Sequence, residues 1–404
     1  MHMQRTTTKD FLVVGGGVIG LSVARSLKKR FVDSSVTLIE KESSCGMHAS
    51  GRNSGVLHAG FYYSQDSLKA RFTRYGNAQL TSYCEEKKIP LNRCGKLVVA
   101  KNTVELPALD ELLKRGKAND VNLQQVSEDE VKEIEPRAKT CQRAIFSPTT
   151  STVNPSSVVQ AMVFDAIGSG VQIKTGVTFI CKKGRRIQTS EGWNEPGYVV
   201  NAAGLYADRI AREFGFSEKY RILPFKGLYL YSDEPAGAIR TNIYPVPDLE
   251  NPFLGVHFTV THDGKAKIGP TAIPALWREQ YHRLSRFSLK ESLEIAARGI
   301  GLLGSAGFSF RRLAIEEFTK YSRRRMVALA SQLMKGVRLE NYSEWGKSGI
   351  RAQLLNIIQR RLEFDFVVEG DERSMHVLNA VSPAFTCSLP FADYVCDRIE
   401  ALVK

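Results

Sequence analysis

Phe11, Leu12, Val13 and Val14 form an unbroken apolar run that ends at a glycine turn, and such a run predicts a short strand buried on both faces. Beyond the turn the period changes, with Leu21, Ala24, Leu27 and Lys28 at helical spacing. Val36, Leu38 and Ile39 then make a second buried strand that ends in the acid Glu40. Further on, residues 68–84 read as an amphipathic helix, 94–99 as a strand, and 101–135 as mostly helical and polar up to Pro136. Pro155 marks a helix start, with Val158, Val159, Met162, Val163 and Ala166 as its apolar face. Residues 171–178 predict another strand. Tyr198, Val199 and Val200 predict one more, running into Ala202, Ala203 and Gly204 and then a helix through Ala207 and Ile210. From 223 to 270, alternating apolar strands and turns suit an antiparallel sheet.

The first of these elements carries recognisable chemistry. In the turn Gly15-Gly16-Gly17-Val18-Ile19-Gly20, Gly15 permits the tight bend, Gly17 lets backbone approach a pyrophosphate, and Gly20 lets helix and strand pack closely. Glu40 lies twenty residues beyond Gly20, where a carboxylate accepts hydrogen bonds from both ribose hydroxyls and repels a 2′-phosphate. Strand, turn, helix and acid together predict a dinucleotide site and leave NAD and FAD open. Ser50, Gly51, Arg52, Asn53, Ser54 and Gly55 form a polar, glycine-rich stretch suited to a flavin ring and pyrophosphate. The small residues Ala203 and Gly204 at a late strand end offer a second close approach of backbone to the ligand. NAD enzymes do not require such an element, so it points to a cofactor domain built from discontinuous pieces.

Length and charge add less. At 404 residues the chain predicts two or three domains. The net charge of +14 favours anionic partners: acidic substrates, nucleic acid or lipid headgroups. Residues 277–338 hold thirteen Lys and Arg against five Glu, and the mixed basic and apolar stretch 307–334 suits an anionic membrane surface. Its aromatic residues are spread out, not interleaved with the cations, which argues against single-stranded nucleic acid. The seven scattered cysteines, without a CxxC pair, suit a reduced cytoplasmic compartment. No segment has the length and apolarity of a membrane span, and the ten residues before the first strand leave no room for a signal peptide. The location expected is therefore cytoplasmic, or peripheral on the inner face of the cytoplasmic membrane.

Several separate blocks resemble the FAD-dependent D-amino-acid oxidase superfamily, and within it the branch that oxidises L-2-hydroxyglutarate. They are SGRNSGVLHAG (residues 50–60), SLKA (67–70), NAAGLYADRIA (201–211), PFKG (224–227), IYPVPD (243–248), FLGVHFT (253–259), IGP (268–270), GIRAQ (349–353) and HVLNAVSPAFTCSL (376–389). They run in order through nearly the whole chain. The resemblance implies an α/β fold in which a discontinuous Rossmann-like FAD-binding domain (1–85, 145–222 and 346–404) carries an α+β substrate domain built on an antiparallel sheet (86–144 and 223–345). It also implies oxidation of L-2-hydroxyglutarate to 2-oxoglutarate, with electrons passed from FAD to a quinone or another acceptor. Where this family has small residues near the C-terminus, the chain has Phe385 and Pro390, which would reshape the loop against the flavin.

A dicarboxylate needs cations at two places, and Lys226, Arg351 and Arg52 are candidates because each sits in a turn-bounded motif. His257 is the first choice for the base that takes the hydroxyl proton or for a ligand of that hydroxyl, and a satisfied core histidine is its bland alternative. His58 is a flavin neighbour; superfamily relatives keep the matching histidine both with and without a covalent bond to FAD. His376 reads as structural, and Asp208 as a cap or a pairing partner within its own helix. Asn379, Ser382, Pro383 and Thr386 belong to the C-terminal loop, whose backbone donors by resemblance support negative charge on the reduced ring. Lys41 and Val177 complete the expected cofactor wall, and no metal is expected. Other readings are an amino-acid or amine oxidase, a glycerol-3-phosphate dehydrogenase and, in a different class, a basic flavoprotein that binds nucleic acid.

Overall fold

The apolar runs at 11–14, 36–39 and 198–200 lie side by side in one sheet. Phe11–Val14 pairs in parallel with Val36–Glu40 and with Tyr198–Asn201. Gln172–Thr175 and Ser374–Asn379 extend the two edges in parallel, and Val367–Gly370 closes one edge antiparallel. The computed structural model describes residues 10–248, 254–305 and 317–403. Helix Val18–Arg30 covers one face of the sheet and packs against helices Pro155–Gly168 and Ser388–Val403. On the other face, Ile187 of a small antiparallel sheet meets Leu12, Val14, Ile39 and Val199. This three-layer unit draws its strands from three distant stretches of chain, the discontinuity suggested by Ala203 and Gly204.

A second, eight-stranded sheet forms the other half of the molecule. Asn242–Pro245 pairs in parallel with Lys96–Val99 and antiparallel with His257–Val260, which pairs in turn with Ala266–Gly269. The region 223–270 was expected to make one antiparallel sheet, and two features differ. Lys96–Val99 and Asn242–Pro245 are far apart in sequence, so no hairpin fixes their direction and they pair in parallel. Tyr220–Gly227 leaves this sheet and pairs along its whole length with Gly349–Asn356 in a separate four-stranded sheet. That contact joins two segments assigned from sequence to different domains. The polar stretch 101–135 also holds a strand, Gln124–Ser127, between helices Leu106–Ala118 and Glu128–Ile134. Only Val126 of that strand is buried, too little apolar alternation to read.

Period-two alternation gives the eight-stranded sheet two unlike faces. Leu97, Val99, Ile243, Phe258, Val260 and Ile268 enter a core with Met326, Val327 and Ala330 of helix Arg323–Ala330. Lys96, Tyr244, His257 and Lys267 stand on the opposite face, and all are buried. Residues 307–316 of the stretch matched to a membrane surface lie outside the described residues, as does Phe253. Among the described residues no helix is long and apolar enough to cross a membrane.

The segment around Arg278 is fastened across the two halves by a buried pair. Asp208, in helix Ala207–Glu213, accepts Arg278 Nη1 at 2.8 Å and Nη2 at 3.0 Å, and also the backbone N–H of Ile222 at 3.1 Å. Asp208 is therefore an inter-element anchor and not a helix cap. Removing one partner of such a pair leaves the other charged and dry. Asp208→Ala is expected to cost about 3–5 kcal/mol in a urea denaturation, and an unshifted midpoint would contradict the anchoring role.

Candidate active site

A cavity of about 1530 Å³ extends from the glycine turn to the polar face of the eight-stranded sheet. It exceeds the roughly 300–1,000 Å³ of ordinary ligand pockets, which suits a dinucleotide together with a substrate. At one end the turn is built as the sequence implies. Gly15 has φ +112°, and a Cβ on Gly20 would stand 1.9 Å from the Gly15 carbonyl oxygen, so the helix packs against the turn only without a side chain. A Cβ on Gly17 would come within 3.1 Å of Ser50 Oγ, the atom that accepts Val18 N–H at 2.9 Å. Gly20 itself does not line the cavity, whereas Gly15 and Gly17 do.

Glu40 is buried, and its carboxylate is held by Gly16 N–H at 2.7 Å and Glu42 N–H at 2.9 Å. A carboxylate has about four acceptor positions, so lone pairs remain for ribose hydroxyls. Val177 donates its backbone N–H to Glu40 O at 2.9 Å and lines the cavity. Lys41 also lines it, with its ammonium bound to Glu42 and Glu279. Glu42, His48 and Glu279 lie close enough to suggest a metal trio, but Lys41 and Arg286 already bind both carboxylates. The Arg286 guanidinium holds the Glu42 carboxyl far below its ordinary range.

Ser50, Arg52, Asn53 and Ser54 are all on the wall. Asn53 braces its own loop, donating to Ser50 O at 2.8 Å and accepting Gly55 N–H at 2.8 Å, and Ser54 Oγ accepts Val56 N–H at 3.3 Å. Arg52 lies over the Tyr281 ring, 4.4 Å from its centre, and donates from Nε to Met47 O at 2.7 Å. Ala203 and Gly204 line the cavity, as do Ser382, Pro383 and Thr386, and Thr386 Oγ1 accepts His58 N–H at 3.1 Å.

Asn379 does not reach the cavity. Its amide donates to Asp365 O at 2.6 Å and Glu363 O at 3.2 Å and accepts Leu354 N–H at 3.3 Å, so it ties strands together. Phe385 is on the wall, whereas Pro390 lies in helix Ser388–Val403 away from the cavity. His376 is a satisfied core histidine, bonded to Asn201 and Ser374 and packed against Phe214 and Phe216.

The substrate end is set by the polar face of the sheet. His257 stacks on Tyr244 with ring centres 3.7 Å apart. Its Nδ1 lies 2.8 Å from Gly255 O. A carbonyl only accepts, so Nδ1 carries the proton and Nε2 keeps its lone pair. Burial, helped by Lys96, Arg351 and Lys267, pushes this imidazole down to about 3. His58 lines the same cavity and is held well below its ordinary value by burial, by Lys96 and by His257. Both rings are therefore neutral.

Arg351 lines the cavity and donates from Nη1 to Thr271 O at 3.0 Å. Lys226 does not line it. Its register partner is Ile350, one residue before Arg351, and a one-residue offset in a strand turns a side chain to the opposite face. Arg351 and Lys226 therefore do not clamp one ligand. Lys96 is fully buried, and its ammonium lies 4.7–4.9 Å from the centres of the Phe61, Tyr62 and Tyr244 rings. Among the described residues it has no hydrogen-bond partner. Lys267 lies 4.6 Å from the Tyr229 ring centre and is lowered to about 8 by burial. Neither lysine lies in a turn-bounded motif, and only strand alternation places them on the polar face.

The chain belongs to the FAD-dependent oxidoreductase family, whose sequence model matches residues 10–398. The glycine turn, the Glu40 carboxylate and the small, polar wall at 50–55 fit FAD. The fold is that of solved FAD enzymes: the FAD-bound L-alpha-glycerophosphate oxidase of Mycoplasma pneumoniae superposes with a TM-score of 0.73 at 21% identity, covering 98% of this chain and 95% of that one. Glycine oxidase of Geobacillus kaustophilus gives 0.73 at 20% identity with the same coverage. In sequence, the chain is 38% identical to mitochondrial L-2-hydroxyglutarate dehydrogenase of Nematostella vectensis, over 98% of this chain and 92% of that protein. It is 32% identical to L-2-hydroxyglutarate dehydrogenase of Escherichia coli K12, over 98% and 94%.

Lys96 supplies a testable consequence. Burial lowers its ammonium from about 10.5 to about 7, so the penalty on folding is absent above pH 10.5, grows as pH falls and is complete below about 7. Lys96→Met is expected to stabilise the protein at pH 7 by about 1–4 kcal/mol, with a gain that shrinks toward pH 10, while weakening the binding of anionic substrate. A Met variant that is less stable at pH 7 than at pH 10, relative to the parent, would count against a buried cation retained for function.

Proposed function

We propose that the protein oxidises L-2-hydroxyglutarate to 2-oxoglutarate. The observation that carries this reading is the neutral His257, with Nε2 unprotonated, on a cavity wall shared with Arg351 and backed by Lys96 and Lys267. The chemistry supplied by bound FAD is acceptance of the C2 hydride at N5 and delivery of two electrons to a quinone or another acceptor. His257 Nε2 takes the hydroxyl proton as the C2–O bond becomes a carbonyl. A base with a pKa of about 3 is weak, but a dicarboxylate brings two negative charges against the cations that depress it. Substrate charge thus raises the imidazole toward a useful range. Arg351 offers the planar fork that suits a carboxylate next to the reacting carbon.

The match to the L-2-hydroxyglutarate dehydrogenases over nearly the full chain supports this substrate. Anaerobic mixing of the yellow holoprotein with 2-hydroxy acids, amino acids and glycerol 3-phosphate tests it. L-2-Hydroxyglutarate is expected to bleach the flavin. Reduction by an amino acid or by glycerol 3-phosphate, with L-2-hydroxyglutarate inert, would move the chain to another branch. His257→Ala should slow reduction by about 10²–10⁴-fold and leave FAD bound, whereas an unchanged rate would make His257 structural.

A membrane-seated acceptor is supported by a separate surface. Leu284, Phe287, Leu289 and Leu293 are all more than half exposed and lie beside Arg283 and Lys290, a pairing suited to an anionic interface. The excess of cations in residues 277–338 is smaller than it reads, because Arg278 and Arg286 are in ion pairs with Asp208 and Glu42, which lie outside that stretch. The protein is expected to sediment with anionic vesicles at low salt and to leave them at high salt. Full solubility with such vesicles at low salt would remove this seat.

A further inference from the structure

We infer that Lys69 is the binding residue for a second carboxylate, the one remote from the reacting carbon, so that the site selects dicarboxylates. This rests on the substrate reading above and deepens it.

Lys69 occupies an unfavourable position for a cation. It is the second residue of helix Leu68–Glu86, after the cap Ser67, where the helix dipole repels positive charge. It is only 8% exposed, and burying an ammonium without a partner is costly. The nearby Asp365 carboxylate makes no salt bridge to it and instead accepts the backbone N–H groups of Leu68 at 2.7 Å, Lys69 at 3.0 Å and Phe366 at 2.8 Å. Among the described residues the Lys69 ammonium has no hydrogen bond or salt bridge, and the nearest aromatic face is Tyr63, 5.7 Å from its ring centre. Burial lowers the ammonium to about 8 against the opposing pull of Asp365 and Cys387, so it is largely charged at neutral pH.

The side chain lines the cavity. Several other cations on that wall are already employed: Lys41 and Arg209 in salt bridges, Arg115 with Glu111 and Tyr62 O, Arg212 with Asp208 O, and Arg52 with Tyr281 and Met47, whereas Lys290 is exposed to solvent. Position decides which anion Lys69 meets. The pyrophosphate belongs at Gly15, Gly17 and Ser50, whereas Lys69 neighbours Tyr63 and Cys387, the residue that follows Thr386 of the flavin loop. The cations that depress His257 are Lys96, Arg351 and Lys267, and Lys69 is not among them. Arg351, whose charge acts on His257, suits the near end of a five-carbon diacid, and Lys69, on the same cavity wall beside Tyr63, suits the far end.

The test is equilibrium binding of glutarate and butyrate to the oxidised holoenzyme, read as perturbation of the flavin spectrum. The parent should bind glutarate more tightly than butyrate. Lys69→Met should weaken glutarate by about tenfold or more with butyrate unchanged, and Lys69→Arg should retain most of the preference. Flavin content and melting temperature establish that each variant folds, and Lys69→Gln decides if the Met form does not load FAD. Equal loss for both ligands, or no loss for either, overturns the assignment. If glutarate binding depends on Lys69 but L-2-hydroxyglutarate never bleaches the parent flavin, the substrate reading fails and the dicarboxylate site stands. Bleaching with glutarate binding indifferent to Lys69 gives the reverse.

Discussion

Positive charge buried without a carboxylate partner is the constraint on which this active site depends. Lys69, Lys96 and Lys267 are all less than one-tenth exposed, and none has an ion pair for its ammonium among the described residues. A fold selected for stability alone would replace such groups with apolar ones. Two of them sit against the faces of tyrosines that line the cavity, Lys96 against Tyr62 and Tyr244 and Lys267 against Tyr229, so these rings stand between their charge and the ligand space. Burial, with this field added to it, keeps the His257 imidazole neutral in the unliganded site, and in the proposed reaction an anionic substrate balances the field. Binding and activation of the proposed base would then be one electrostatic event.

The scaffold makes that arrangement possible by separating its faces. One face of the eight-stranded sheet is a conventional apolar core, and the stability gained there holds the polar face in register. The cofactor unit meets it through the Tyr220–Gly227 and Gly349–Asn356 pair, which carries Arg351 into the cavity. The Asp208–Arg278 pair and the network joining Glu42, Arg286, Glu279 and Lys41 fasten the 278–286 segment to the cofactor unit.

Much of the cofactor end was legible in the sequence, because its chemistry is local. A glycine turn followed by a helix and closed by Glu40 needs only a few dozen consecutive residues, and their order dictates their geometry. The substrate end depends on which face of a strand a residue occupies and on what lies opposite, and sequence fixes neither. Lys226 and Arg351 looked equivalent until the register placed them on opposite faces. Asn379 looked like a loop donor, but its amide is used up on the backbone of the 363–366 loop. Lys69 lay within a recognised block without a role, since nothing local reveals that Asp365, far along the chain, is already taken. His257 was legible as a base candidate from its apolar strand, but the tautomer that frees Nε2 required the Gly255 carbonyl.

The most direct measurement of the central claim compares L-2-hydroxyglutarate with its C5 monoamide, which has the same shape and one charge fewer. The quantity is the second-order rate constant of anaerobic flavin reduction at low and high ionic strength. A site organised by buried cations reduces with the dianion at least about tenfold faster, and high salt lowers the rate for both ligands without erasing the difference, because buried charges are poorly screened. Equal rate constants for the acid and the amide at low salt would contradict the account.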